Sequence, residues 1–98
     1  MNNEEIIKCI EDNKLSDAWE RLKPQLAQKS DIDLYLLAGK IKMKQQIYGE
    51  ALNYFYEVIR MESTNKEALS LISTIKSILN ISNSFYYENT YLDDTLYE

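Results

Sequence analysis

Histidine is absent from this sequence of 98 residues; cysteine and proline occur once each and glycine twice. Without histidine, Ser-His and Cys-His nucleophile pairs and the common histidine-bearing zinc sites are excluded. The lone Cys9 cannot make an internal disulfide, which is compatible with a reducing compartment. Set among Ile6, Ile7 and Ile10, it reads as a small buried thiol rather than a reactive one. So few glycines leave no phosphate-cradling loop, and with one proline the chain lacks the turn punctuation of a sandwich or barrel. No apolar run approaches the roughly 18 residues of a membrane span. The opening MNNEEIIKC carries acids where a signal peptide carries bases, so a cytoplasmic location is expected.

What is present suits one all-helical domain. Hydrophobic residues make up 45% of the chain and the net charge is −5. That charge is uneven: Glu88, Asp93, Asp94 and Glu98 lie in the last seventeen residues with no base among them, while the first 81 carry 12 acids against 11 bases. The expected division is a helical domain over 1–81 and an acidic, aromatic tail over 82–98. A near-neutral body with an acidic tail argues against nucleic-acid binding, which needs a basic face to neutralise phosphates.

Five helices are expected. The stretch 3–12 places Ile6, Ile7, Cys9 and Ile10 on one stripe behind Glu4 and Glu5, which suit a helix N-terminus. After a polar break at Asn13-Lys14, Ser16 reads as the N-cap of a second helix with Ala18, Trp19, Leu22 and Leu26 on one face and Pro24 inside it. Ser30-Asp31 caps a third helix. A fourth runs from Ile47 to Met61 and is apolar over most of its circumference, with only Gly49, Glu50, Asn53, Glu57 and Arg60 on one polar strip; this reads as the middle of the fold, covered by neighbours on two sides. A fifth helix, 66–81, carries Ala68, Leu69, Leu71, Ile72, Ile75, Ile78 and Leu79 on a stripe wider than one partner helix requires.

The third and fourth helices carry a recognisable pattern. Tyr35, Gly39, Tyr48, Ala51 and Phe55 fall at the spacing and sizes of a tetratricopeptide repeat, a helix–turn–helix unit of thirty-four residues, which the stretch from Ile32 to Asn65 resembles. Small Gly39 and Ala51 would let the two backbones approach, with the aromatics filling the space around them. Ala38, Lys42 and Ser63 depart from the motif, and Lys42, where an aromatic is usual, departs most. Ala18 precedes Ala51 by thirty-three residues, and Leu22 and Leu26 repeat the spacing of Phe55 and Ile59, so the second helix reads as half of a degenerate earlier unit. The resemblance implies an antiparallel helix-turn-helix array, an α-solenoid of about two and a half repeats.

Function is read from surfaces. The carboxylate pairs Glu4 with Glu5, Asp31 with Asp33 and Asp93 with Asp94 sit at helix starts or in the tail, as solvated caps rather than acid–base machinery. No catalytic residue, cofactor motif or metal set is assigned; a small hydrolase would need a metal held by carboxylates, revealed by metal-dependent stability. The resemblance implies a non-enzymatic interaction module holding a peptide or protein segment on its concave face, at Asp33, Leu36, Lys40, Met43 and Lys44. Asp33 and Leu36 do not fit the family's carboxylate-clamp variety. The alternative is a self-associating structural unit, in which the fifth helix at Leu71, Ile75 and Ile78, or the tail at Tyr86 and Tyr91, completes the array in a homodimer. The tail suits a disordered end, a strap or sixth helix over the fifth, or an exchanged segment, and its Tyr91–Asp94 stretch could lie against Lys40 and Lys44. Trp19 is expected in the core, and whichever of Tyr54 and Tyr56 is exposed marks an interface.

Overall fold

A computed structural model describes residues 3–82; residues 83–98, with the tail readings that involve Tyr86, Tyr91 and Asp94, lie outside the described residues. Five helices follow one another: α1 (Asn3–Glu11), α2 (Leu15–Gln28), α3 (Ile32–Lys44), α4 (Tyr48–Met61) and α5 (Lys66–Ser82). There is no strand among the described residues.

The α1–α2 and α3–α4 turns are copies of one another. In each, a residue with positive φ, Asn13 (62°) and Gln46 (67°), ends the first helix. The next amide reaches back across the turn, from Lys14 to the Cys9 carbonyl at 2.7 Å and from Ile47 to the Lys42 carbonyl at 2.9 Å. This left-handed cap satisfies carbonyls that a helix end leaves orphaned. Lys14 and Ile47 then cap the following helices with nearly equal backbone angles and no side-chain bond. Thirty-three residues separate every member of the two sets, the same offset that relates Ala18 to Ala51. Both alanines are fully buried, as are Leu22 and Phe55 one turn later.

Ser16 therefore does not cap α2; the helix begins at Leu15, one residue earlier, because the preceding turn delivers Lys14 to the cap position. Asp31 does cap α3, its carboxylate accepting from the amides of Asp33 (2.8 Å) and Leu34 (3.3 Å). Asn65 does the same for α5 by accepting from the Ala68 amide at 2.8 Å. Asp31→Ala should lower stability by about 1 kcal/mol, whereas Ser16→Ala should leave the urea unfolding midpoint nearly unchanged.

Two hydrophobic clusters form the core. The first gathers Ile6 and Ile10 of α1, Ala18 and Leu22 of α2, and Leu34, Leu37, Ala38 and Ile41 of α3. The second gathers Leu36 of α3, Ala51, Phe55 and Val58 of α4, and Ala68, Ile72 and Ile75 of α5. α4 packs between α3 and α5, as expected, while α3 contributes buried residues to both clusters and joins the two cores. The reason is visible in the α3 sequence: IDLYLLAGKIKMK has apolar residues all round, as a helix between two cores requires. α4 instead buries one side in the second cluster and leaves its polar strip outside, with only Tyr54 packed on the first cluster. Gly39 meets Phe55 more closely than it meets Ala51: a β-carbon built at Gly39 would stand 2.6 Å from ring carbon Cζ and 2.8 Å from Cδ1. The absent side chain is the seat of that ring.

Candidate functional site

The five residues expected along the inner face of α3 do not form one open groove. Leu36 is only 7% exposed, because it is packed into the second cluster with residues of α4 and α5. Met43 is half-buried against that cluster. Lys40 is ion-paired with Glu67 of α5. Asp33 and Lys44 are exposed, in the first and last turns of α3, where they complement the helix dipole. The apolar part of the face that the resemblance presented as a groove is packed into the second cluster.

The α5 set is corrected in the same way. Ile75 is fully buried inside its own chain, and Leu71 packs half-buried on the second cluster; Ile78 is half-buried. Among the residues of α5 whose burial is described, the large exposed hydrophobic is Leu69, 47% exposed.

A different surface forms a shallow, open groove. Tyr35 of α3 and Glu50, Asn53, Tyr54, Tyr56 and Glu57 of α4 line a groove of about 520 Å3. Most of the polar strip of α4 thus becomes one wall, and the tyrosines beside it the rest. The aromatic part is held in place by its neighbours. Tyr54 lies with its ring centroid 6.2 Å from Tyr35 and 6.1 Å from Trp19, edge-on to the indole at 63°, within the range where aromatic pairs attract. The Tyr35 hydroxyl donates to Ser30 Oγ at 3.2 Å. Behind this row, Lys42 sets its ammonium 4.1 Å above the Trp19 ring and 3.3 Å from Glu50. Its side chain is only 12% exposed. The departure from the repeat pattern at Lys42 is thereby explained: a cation lying on an indole takes the place of an aromatic.

Glu57 holds Arg60, one helical turn on, through bonds of 2.7 Å and 3.0 Å to a single oxygen, Oε1. That hydrogen bond and the adjacent charge raise the Arg60 pKa. Burial raises the pKa of Tyr54, and the negative charge of Glu50 raises it further. The fold thus favours the neutral phenol, so its contribution is complete below the ordinary tyrosine pKa near 10 and is lost as pH climbs through the raised value, the unfolded chain having shed its proton first. Tyr54→Phe should flatten the alkaline fall in stability, measured as urea midpoints from pH 8 to pH 11.

Sequence reasoning left open which tyrosine flanking Phe55 is exposed; the structure makes it Tyr56 (41% exposed), and the groove was missed. Glu50, Asn53 and Glu57 were legible as one strip; that Tyr35 and Tyr54 border it depends on how α3 packs on α4. Trp19 packs against the first core cluster as expected. Glu5 is ion-paired to Arg21 at 2.9 Å and Asp31 caps a helix, so both serve the fold. No helix among the described residues is long and apolar enough to cross a membrane.

Comparison of the chain with protein-family models, curated proteins and solved structures gives no match.

Proposed function

We propose that this chain is a non-catalytic helical repeat module that binds a segment of another protein in the tyrosine-lined groove of α3 and α4. The groove carries the reading: three aromatic side chains, two carboxylates and an amide are brought together at the surface. Tyrosine suits recognition because it offers a large rigid face and a hydroxyl at little conformational cost. The scaffold is read as an antiparallel stack of two helix pairs with α5 opening a third unit, similar to tetratricopeptide repeats. The duplicated turns, the buried alanines at equivalent positions and the Gly39–Phe55 contact support that likeness. Because one scaffold serves many binding tasks, the function rests on the groove and not on the likeness.

The inner face of α3 is the lesser candidate, since Leu36 and Met43 are engaged by the second cluster and Lys40 by Glu67. Self-association keeps one observation in its favour, the exposure of Leu69. The test is an NMR spectrum of the isotope-labelled chain in unlabelled cell extract. Broadening should centre on the amides of Tyr35 and 50–57. Broadening confined to Asp33–Lys44 on the inner face, or to the Leu69 flank of α5, would overturn the assignment.

A further inference from the structure

The chemistry of the groove selects its occupant. We infer that it takes the cationic side chains, arginine above lysine, of a basic segment in a partner protein; the inference rests on reading this groove as the binding surface. Tyr35, Tyr54 and Tyr56 are three of its six lining residues, Glu50 and Glu57 two more, and no lysine or arginine is among them. Aromatic faces attract cations through the ring quadrupole, and carboxylates add a charge-assisted hydrogen bond, most effectively to the planar guanidinium. Both glutamate side chains are reachable, 58% exposed for Glu50 and 44% for Glu57.

The chain itself already places cations around this surface. Lys42 sits between the Trp19 ring and Glu50. Arg60 bonds Glu57 through Nε and Nη2, both on Oε1, so Oε2 has no bond to Arg60. From α5, Lys76 approaches the Tyr56 ring at 5.9 Å, near the outer limit of a cation–π contact. These internal pairs show that the carboxylates and rings are oriented to receive positive groups. Lys42 is nearly enclosed and structural. Arg60, whose side chain is 69% exposed, is a displaceable competitor for Glu57, as exposed ion pairs are weak. An incoming arginine replaces it and stacks on the tyrosine rings. Because the contact is between a guanidinium and carboxylates, the encounter is also salt-dependent, weakening as ions screen the charges.

The consequence separates this inference from a merely structural role for the same residues: removing Arg60 should improve binding. The experiment titrates the full chain with a peptide of alternating arginine and leucine, with its citrulline counterpart of like shape and no charge, and with its glutamate counterpart. Ring resonances of Tyr35, Tyr54 and Tyr56 are the readout. The arginine peptide should shift them saturably and more weakly at high salt, and the citrulline and glutamate peptides should not. Arg60→Gln should tighten that binding about threefold, and Glu50→Gln with Glu57→Gln should weaken it about fivefold. Equal binding of the citrulline peptide, or preference for the glutamate peptide, would overturn the cation assignment while leaving the groove as the binding surface. Tyrosine resonances unmoved by all three peptides, or arginine-peptide shifts spread equally over Glu4 and Glu5 of α1, would overturn both.

Discussion

Phe55→Ala lowers the unfolding free energy by about 3–5 kcal/mol, the range for truncating a buried aromatic. Phe55 is the largest fully buried side chain, and its ring joins α4 to the glycine of α3. A loss of that size is a large part of the stability of an ordinary small domain, about 5–15 kcal/mol. The reciprocal change is as informative. An alanine inside a helix normally stabilises relative to glycine by about 0.5–1 kcal/mol, yet Gly39→Ala should destabilise by about 1–3 kcal/mol, because the new methyl falls inside the Phe55 ring and overpacks the core. Gly49, with nothing within 4 Å of an added β-carbon, is the internal control: Gly49→Ala should be neutral or stabilising. Combining Gly39→Ala with Phe55→Leu should recover part of the loss, a non-additivity expected of residues in contact. Urea denaturation of these variants and of Phe55→Leu alone, which completes the cycle, checks all of this.

Ile75→Ala should cost about 2–4 kcal/mol, and the cost should not depend on protein concentration. The residue is fully buried among α3, α4 and α5 side chains of its own chain, so its partners are already present in a monomer. Ile78→Ala, one turn further and half-buried, should cost less than about 1 kcal/mol in the same assay. If Ile75 instead served an interface between copies, its truncation would leave monomer stability intact and alter only the mass measured by light scattering. Unfolding midpoints at two concentrations, read beside that mass, separate the cases.

The contrast between these residues shows what a single sequence can carry. Asp31, Gly39 and the Ala18–Ala51 offset were legible because caps, close approaches and repeat periods are written in short spacings; Asn65 was read as the end of the repeat unit and not as the cap it is. The five-helix division was legible for the same reason, with α5 reaching Ser82, one residue beyond the expected boundary. Leu36 and Ile75 were misplaced because periodicity shows that a face is apolar and cannot show which helix covers it. That α4 has a neighbour on each side was legible from its narrow polar strip, whereas α3, interrupted by Lys40, Lys42 and Lys44, hid its two buried sides behind charged residues. Lys40 reaches Glu67 and Lys42 reaches Trp19 and Glu50, so two of the three lysines are spent on neighbours. The groove was illegible as a unit since Tyr35 and Tyr54 lie on different helices, Tyr35 reading as filler and Tyr54 as one of two candidates for an exposed side chain. Its acidic strip was visible; its aromatic wall needed the packing.

Binding of a foreign segment in the groove is tested most directly by photo-cross-linking in cells. A benzophenone amino acid is placed at Tyr56 in the groove, at Lys44 on the inner face of α3, or at Leu69 on α5. The expected result is an adduct formed from the Tyr56 position, of a mass other than that of two copies of this 11.5 kDa chain, and weakened by Glu50→Gln with Glu57→Gln. Adducts from Lys44 or Leu69 with none from Tyr56, or a Tyr56 adduct with the mass of two copies, would contradict it.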